Sequence, residues 1–130
     1  MKIIFFLAAL ILLANSKTCK SKRETPAPGC FKGKLLVKGG CMNYTIGVIA
    51  GDMDTTRISS SWTDENTGKA YRDVFALGSR CTFPNTIREG DEFYFTIDST
   101  TAQNCAVCMM YYPTPPRHLS IKILDRPCSQ

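Results

Sequence analysis

The sequence predicts an all-β fold: a single disulfide-stapled β-sandwich of immunoglobulin-like size, with about seven strands. Apolar and polar residues alternate with a period of two in several segments, and helical periodicity does not recur. Turn-forming residues separate these segments at short intervals, a spacing that favours a sandwich. The chain has seven cysteines in 130 residues. If the protein is exported these cysteines pair, so we expect two or three disulfides.

The first residues predict export. Lys2 is followed by an apolar run over residues 3–13 and then by Ala14-Asn15-Ser16, the three parts of a secretory signal. The alternative, a membrane anchor, needs about 20 apolar residues. We therefore expect cleavage after Ser16 and a secreted, extracellular protein without a membrane span. The predicted organisation is a signal peptide at 1–16, a basic arm and Pro/Gly linker at 17–29, and the β-sandwich domain at 30–128.

The first four strands are expected at residues 34–38, 41–50, 57–63 and 69–77. In the second of these, Tyr44, Ile46 and Val48 share one face. The segment Asp64-Glu65-Asn66-Thr67-Gly68 suits a hairpin loop, because Asn and Gly tolerate positive φ. That hairpin would place Trp62 and Tyr71 on neighbouring strands.

The last three strands are expected at residues 93–97, 105–112 and 118–124. Phe93, Phe95 and Ile97 alternate with polar residues, and so do Leu119, Ile121 and Ile123. Pro113-Thr114-Pro115-Pro116 is expected to end the sixth strand.

The cysteine count is odd, which leaves one cysteine unpaired or bonded to another chain. Cys19 is the natural outlier, because it lies in the basic arm ahead of the linker. The chain is therefore expected to be a monomer or a Cys19-linked dimer. A third alternative is processing after Lys22-Arg23, which would remove Cys19. The six disulfide candidates are Cys30, Cys41, Cys81, Cys105, Cys108 and Cys128.

The spacing of these six leaves the connectivity open. Pairing Cys30 with Cys128 would tie the two ends of the domain together. Cys105 and Cys108 have the CxxC spacing of redox and zinc motifs, but their flanking residues favour a strand. Residues three apart in a strand face opposite sides, so these two cysteines are expected to have different partners.

The net charge of +5 belongs to the N-terminal region. Glu24 is the one acidic residue between Lys17 and Lys38, and the rest of the chain is slightly acidic. An anionic glycan contact is one hypothesis for the arm residues Lys17, Lys20, Lys22 and Arg23. A solvated tail is the alternative, and nucleic acid is disfavoured for a secreted chain without an aromatic-interleaved basic face.

No constellation of catalytic residues stands out, and the prediction is that the protein is not an enzyme. His118 is the sole histidine, and no G-x-S-x-G motif is present. The candidate carboxylates Asp52, Asp54, Asp64 and Glu65 fall in turns, where Asp is common for backbone reasons. We expect no cofactor and no metal.

Recognition by surface loops is the remaining route to function. The candidate surface combines two tyrosines with stiff prolines: Tyr111, Tyr112, Pro113, Pro115 and Pro116. The alternative is that the tyrosines complete the core and the prolines protect a strand end. Asn43-Tyr44-Thr45 is a sequon, so Asn43 is an N-glycosylation candidate if its side chain faces solvent.

Several motifs resemble the small secreted clade V nematode protein (SCVP) family. They are the stretch from Trp62 to Tyr71, Cys81-Thr82-Phe83-Pro84-Asn85, Gly90-Asp91 and the Cys105/Cys108 pair. The resemblance covers most of residues 30–128. It implies a secreted nematode protein of a poorly characterised family without an established catalytic site, acting on worm physiology, for example in the reproductive tract or egg laying.

The function predicted from these observations is a secreted, non-enzymatic binding or signalling protein with an unknown extracellular protein or receptor as its partner. The alternative is a defence, antimicrobial or host-interacting protein that acts through its basic N-terminal arm. A hydrolase is a third and disfavoured hypothesis.

Overall fold

The computed structural model describes residues 26–100 and 102–128, and these form an all-β domain. Two single-turn 3-10 helices, Gly40–Met42 and Thr55–Arg57, lie in its connections. The seven strands are β1 (Cys30–Lys38), β2 (Tyr44–Ala50), β3 (Ser59–Thr63), β4 (Ala70–Leu77), β5 (Glu92–Ile97), β6 (His118–Leu119) and β7 (Ile121–Leu124). The predicted all-β class is confirmed, whereas the predicted sandwich is wrong. Of the described residues, none belongs to a helix that is long and apolar enough to cross a membrane.

All seven strands belong to one sheet rather than to the two sheets of a sandwich. The strand order is β3-β4-β2-β1-β5-β7, and β6 pairs in parallel with β4. Ser120 alone separates β6 from β7, so the C-terminal segment bonds to β4 through its first residues and to β5 through its last. The sheet therefore closes on itself around one core, as in a small barrel.

Aromatic side chains fill this core. The Phe95 side chain has no exposed surface, and its ring centroid lies 5.4 Å from that of Phe31, 5.8 Å from Phe75 and 6.1 Å from Phe93. Gly33 faces these rings from β1, and a Cβ there would lie 2.9 Å from the Phe95 ring. The glycine therefore makes room for the aromatic cluster.

The apolar faces that the alternation predicts are all found in the core. They are Tyr44 and Ile46 of β2, Phe93 and Phe95 of β5, and Leu119 and Ile121 of the C-terminal segment, with Val48, Ile97 and Ile123 packed against them. In β2 the opposite face is buried as well, at Thr45 and Gly47.

The hairpin between β3 and β4 forms where the turn residues predict it. The Asp64 side chain is buried, and its carboxylate accepts hydrogen bonds from the Asn66 amide (2.9 Å) and the Thr67 hydroxyl (3.1 Å). Gly68 has a φ of +71°. Trp62 pairs with Tyr71 across the strands, and their rings stack with centroids 5.9 Å apart.

The predicted strand at 105–112 is wrong. These residues form no strand, because the disulfides of Cys105 and Cys108 attach the segment to two different loops instead of to a sheet edge. The predicted strand at 118–124 is interrupted at Ser120, where the pairing passes from β4 to β5. Seven strands are present because this split offsets the missing one.

Strand boundaries also differ from the prediction, most of all at the starts of β1 and β2. β1 begins earlier, at Cys30, since this part of the strand pairs with β5. β2 begins later, at Tyr44, because Cys41 and Met42 take positive φ values of 56° and 58° and turn the chain.

Candidate recognition site

Three disulfides connect the six cysteines of the described chain. Cys30 pairs with Cys128, Cys41 with Cys108 and Cys81 with Cys105, with Cα–Cα distances of 6.0, 5.2 and 5.5 Å. The pairing of Cys30 with Cys128 agrees with the hypothesis that the domain ends are tied together. Cys105 and Cys108 have different partners, so they do not form a redox pair with each other. Because both are in disulfides, neither has a thiolate that could bind zinc.

Two of these disulfides hold residues 102–112, which we call the cystine loop. Cys105 fixes it to the segment after β4, and Cys108 fixes it to the turn before β2. Polar contacts add to the attachment: the Cys81 amide donates to Gln103 Oε1 (2.9 Å), and the Cys105 amide donates to Cys81 Sγ (3.1 Å). The loop is therefore held at several points along its length.

Asn43 is the polar centre beneath the cystine loop. Its Nδ2 donates to the carbonyl oxygens of Gly40 (2.8 Å) and Met110 (3.1 Å), while its Oδ1 accepts from Arg80 Nη2 (3.1 Å). Only 9% of Asn43 is exposed. One buried amide thus joins the turn before β2, the segment after β4 and the loop.

The outer side of the cystine loop is apolar and exposed. The exposed fraction is 100% for Met109, 80% for Tyr111, 59% for Met110 and 37% for Val107. The loop contains no charged residue. Adjacent apolar side chains in water, on a segment held in place from below, are typical of an interaction surface.

Some of the recognition residues that the sequence predicts are exposed in the structure, and others are buried. Tyr111 is exposed and Pro116 is exposed, whereas Pro113 and Pro115 are buried. Tyr112 is half-buried, and a Cβ on Gly39 would lie 2.5 Å from its ring. Tyr111 therefore belongs to the candidate surface, while Tyr112, Pro113 and Pro115 pack against the domain, as the alternative interpretation expects.

Tyr111 also connects the cystine loop to the β3–β4 hairpin. Its hydroxyl donates to Glu65 Oε2 at 3.5 Å. In the same hairpin, Lys69 Nζ lies 5.1 Å from the centroid of the Tyr71 ring. Burial raises the pKa of Tyr71, and the negative charge of Asp64 raises it further.

Sequence reasoning missed Val107, Met109 and Met110 as surface residues. It assigned them to a strand, in which alternate side chains would be buried. The signal that could have found them is an uncharged Met-Met-Tyr run directly after two cysteines with different partners.

The carboxylates considered for catalysis hold turns in the structure. Asp54 accepts from the Thr56 amide (2.9 Å) and hydroxyl (2.7 Å), and these hydrogen bonds lower its pKa. Asp64 closes the hairpin loop, Glu65 contacts Tyr111, and Asp52 is exposed. His118 is exposed and pairs through its backbone with Ala76. Among residues 26–100 and 102–128, no group of three His, Cys, Asp or Glu side chains could hold a metal ion.

Other predicted features lie outside the described residues. These are the signal peptide at 1–16, the Lys22-Arg23 processing site, Cys19, and the arm residues Lys17, Lys20, Lys22 and Arg23. They remain predictions.

We expect the folded protein to carry no glycan on Asn43. Both hydrogens of Nδ2 are used in hydrogen bonds to carbonyl oxygens, and a buried amide has no room for a sugar. Intact-mass measurement of the secreted protein before and after treatment with an N-glycosidase should show no change. A decrease in mass would contradict this expectation and would mean that the cystine loop is displaced from Asn43.

Comparison with known proteins identifies no family for this chain. A scan against protein-family models gives no match, and a search of curated proteins gives none either. The resemblance to the SCVP family therefore remains a prediction from sequence motifs.

Proposed function

We propose that this chain is a secreted, non-enzymatic binding or signalling protein that recognises an extracellular protein through its cystine loop. The observation that carries the proposal is the exposed apolar surface of Met109, Met110 and Tyr111 on a loop held by two disulfides. Three disulfides in a small domain are typical of an oxidising compartment, which supports secretion.

The chemistry of the loop favours a protein partner. Tyr and Met are enriched where proteins meet, and Met adapts its shape to an apolar partner. An uncharged loop has little attraction for anionic glycans or nucleic acid, which bind mainly through basic side chains. Because the loop is held in place before binding, less conformational entropy is lost on association.

A non-enzymatic role is supported by what the polar side chains already do. All six described cysteines are in disulfides, so none offers a thiolate nucleophile. Asp54 and Asp64 accept hydrogen bonds from their own turns. Regulation of nematode physiology, for example of egg laying, is the role that the SCVP resemblance implies, and we retain it as part of the proposal.

Substitutions in the loop test this function. Met109→Ser and Tyr111→Ser should each weaken saturable binding of the labelled protein to membranes and matrix of the tissue that expresses it. Central apolar residues of an interface contribute about 1 to 2 kcal/mol each, so the double variant should bind at least about tenfold more weakly.

Ile49→Ser is the matched control. Ile49 is 46% exposed and lies on β2, outside the cystine loop. It should leave the binding curve unchanged. Equal loss in the control and the loop variants, or binding that does not saturate, would contradict the proposal.

A further inference from the structure

One edge of β3 has no partner strand within the described part of the chain. This strand lies at one end of the sheet, and among the described strands it pairs only with β4. Its sequence, Ser59-Ser60-Ser61-Trp62-Thr63, contains no charge and no proline. Charged side chains and prolines usually protect the exposed edge of a sheet, because an edge without them can pair with a strand of another chain.

The register of the hairpin determines which backbone groups are available. The Asp64 amide donates to the Lys69 carbonyl at 2.9 Å, so the backbone groups of residues 64 and 69 face each other across the hairpin. Such pairs alternate along an antiparallel ladder. The backbone groups of Ser60 and Trp62 therefore face β4, and those of Ser59, Ser61 and Thr63 face outward.

We propose that β3 pairs antiparallel with β3 of a second copy of this chain, about a two-fold axis at Ser61. In this register Ser61 lies opposite Ser61 of the second copy, and Ser59 lies opposite its Thr63. The outward-facing backbone groups of Ser59, Ser61 and Thr63 in each strand are then paired. This inference is independent of the cystine-loop function.

Charge complementarity favours this occupant. Arg57 and Glu65 are exposed just beyond the two ends of β3, in the 3-10 helix before it and in the hairpin turn after it. Because the two strands run antiparallel about the axis, the Arg57 end of each copy comes next to the Glu65 end of the other. Opposite charges therefore meet twice.

The test is a charge exchange measured by sedimentation velocity on the secreted protein over a concentration series. The wild-type protein should dimerise reversibly. Arg57→Glu and Glu65→Arg should each raise the dimer Kd by about tenfold or more, because each places like charges together at two contacts. The double variant should restore the wild-type Kd, and an equimolar mixture of the two single variants should form a heterodimer.

Three further variants separate this interface from other effects. Arg126→Glu makes the same charge change away from β3 and should leave the Kd unchanged. Tyr111→Phe removes the hydrogen bond to Glu65 without a change in charge and should also leave it unchanged. Ser61→Pro removes an outward N–H that β4 does not use, so it should abolish dimerisation while the monomer keeps its circular dichroism spectrum.

Several results would overturn the proposal. One is a wild-type protein that stays monomeric at all concentrations. Another is a dimer that appears only after residues 17–25 are removed, which would make the basic arm the occupant of the edge. A third is a dimer that depends on Cys19 and disappears under reduction. A fourth is a dimer whose Kd is unchanged by Arg57→Glu and by Glu65→Arg.

Discussion

Removing the disulfide between Cys30 and Cys128 should cost the domain about 3.5 to 4 kcal/mol of unfolding free energy. The two residues are 98 positions apart in the sequence, but the Cys41–Cys108 disulfide stays intact and shortens the loop that the bond closes in the unfolded state to about 30 residues. In the chain-entropy description, a loop of that length corresponds to about 3.7 kcal/mol. Cys30→Ala/Cys128→Ala, unfolded in guanidinium chloride under non-reducing conditions, measures this loss.

The matched control is Cys81→Ala/Cys105→Ala. Its cysteines are only 24 positions apart, and the same description gives about 3.4 kcal/mol for a loop of that length. The two variants should therefore lose similar amounts of stability, within about 0.5 kcal/mol of each other. A loss in the Cys81→Ala/Cys105→Ala variant that is larger by about 1 kcal/mol or more would contradict the entropic explanation and would show that contacts of the cystine loop contribute more than closure of the chain.

Phe95→Ala should destabilise the protein by about 3 to 5 kcal/mol, as truncation of a buried phenylalanine generally does. Phe95 is completely buried and contacts Phe31, Phe75 and Phe93, which come from three different strands. Its removal would leave a cavity where these strands meet. Chemical denaturation with the disulfides intact measures the change, and the m-value should stay constant.

Two further variants of β5 test whether the loss of stability in Phe95→Ala comes from the cavity in the core. Phe95→Leu keeps an apolar side chain and should cost less than half as much, because part of the cavity stays filled. Tyr94→Ala alters the neighbouring position on the opposite face, where the ring is only half-buried and lies near Lys32. If Tyr94→Ala costs as much as Phe95→Ala, the core does not centre on Phe95.

Local chemistry explains which parts of the fold could be predicted. The hairpin at 64–68 depends on residues inside it, namely an Asp that accepts hydrogen bonds from its own turn and a Gly with positive φ. The alternation of Phe93 and Phe95 indicates a half-buried strand, because side chains in a strand point to opposite faces. Such signals lie in neighbouring residues and need no knowledge of the rest of the chain.

The segment 105–112 shows where local chemistry is insufficient. Its Val, Met and Tyr residues suit a strand, and the prediction followed that preference. In the structure its two cysteines bond to Cys41 and Cys81, which are 67 and 24 residues distant, and the apolar side chains are left in water. The candidate recognition surface exists because these distant bonds override the local preference.

Sequence by itself determined the all-β class, the β3–β4 hairpin, the apolar faces of β2 and β5, and the expectation that the cysteines pair. The tertiary structure alone decided the closure of one sheet by the C-terminal segment, the choice among cysteine pairings, the burial of Asn43 and the exposure of Met109. The physical reason is the same in each case. Alternation and turn chemistry depend on residues a few positions apart, whereas closure, pairing and burial depend on which distant segments meet around the core.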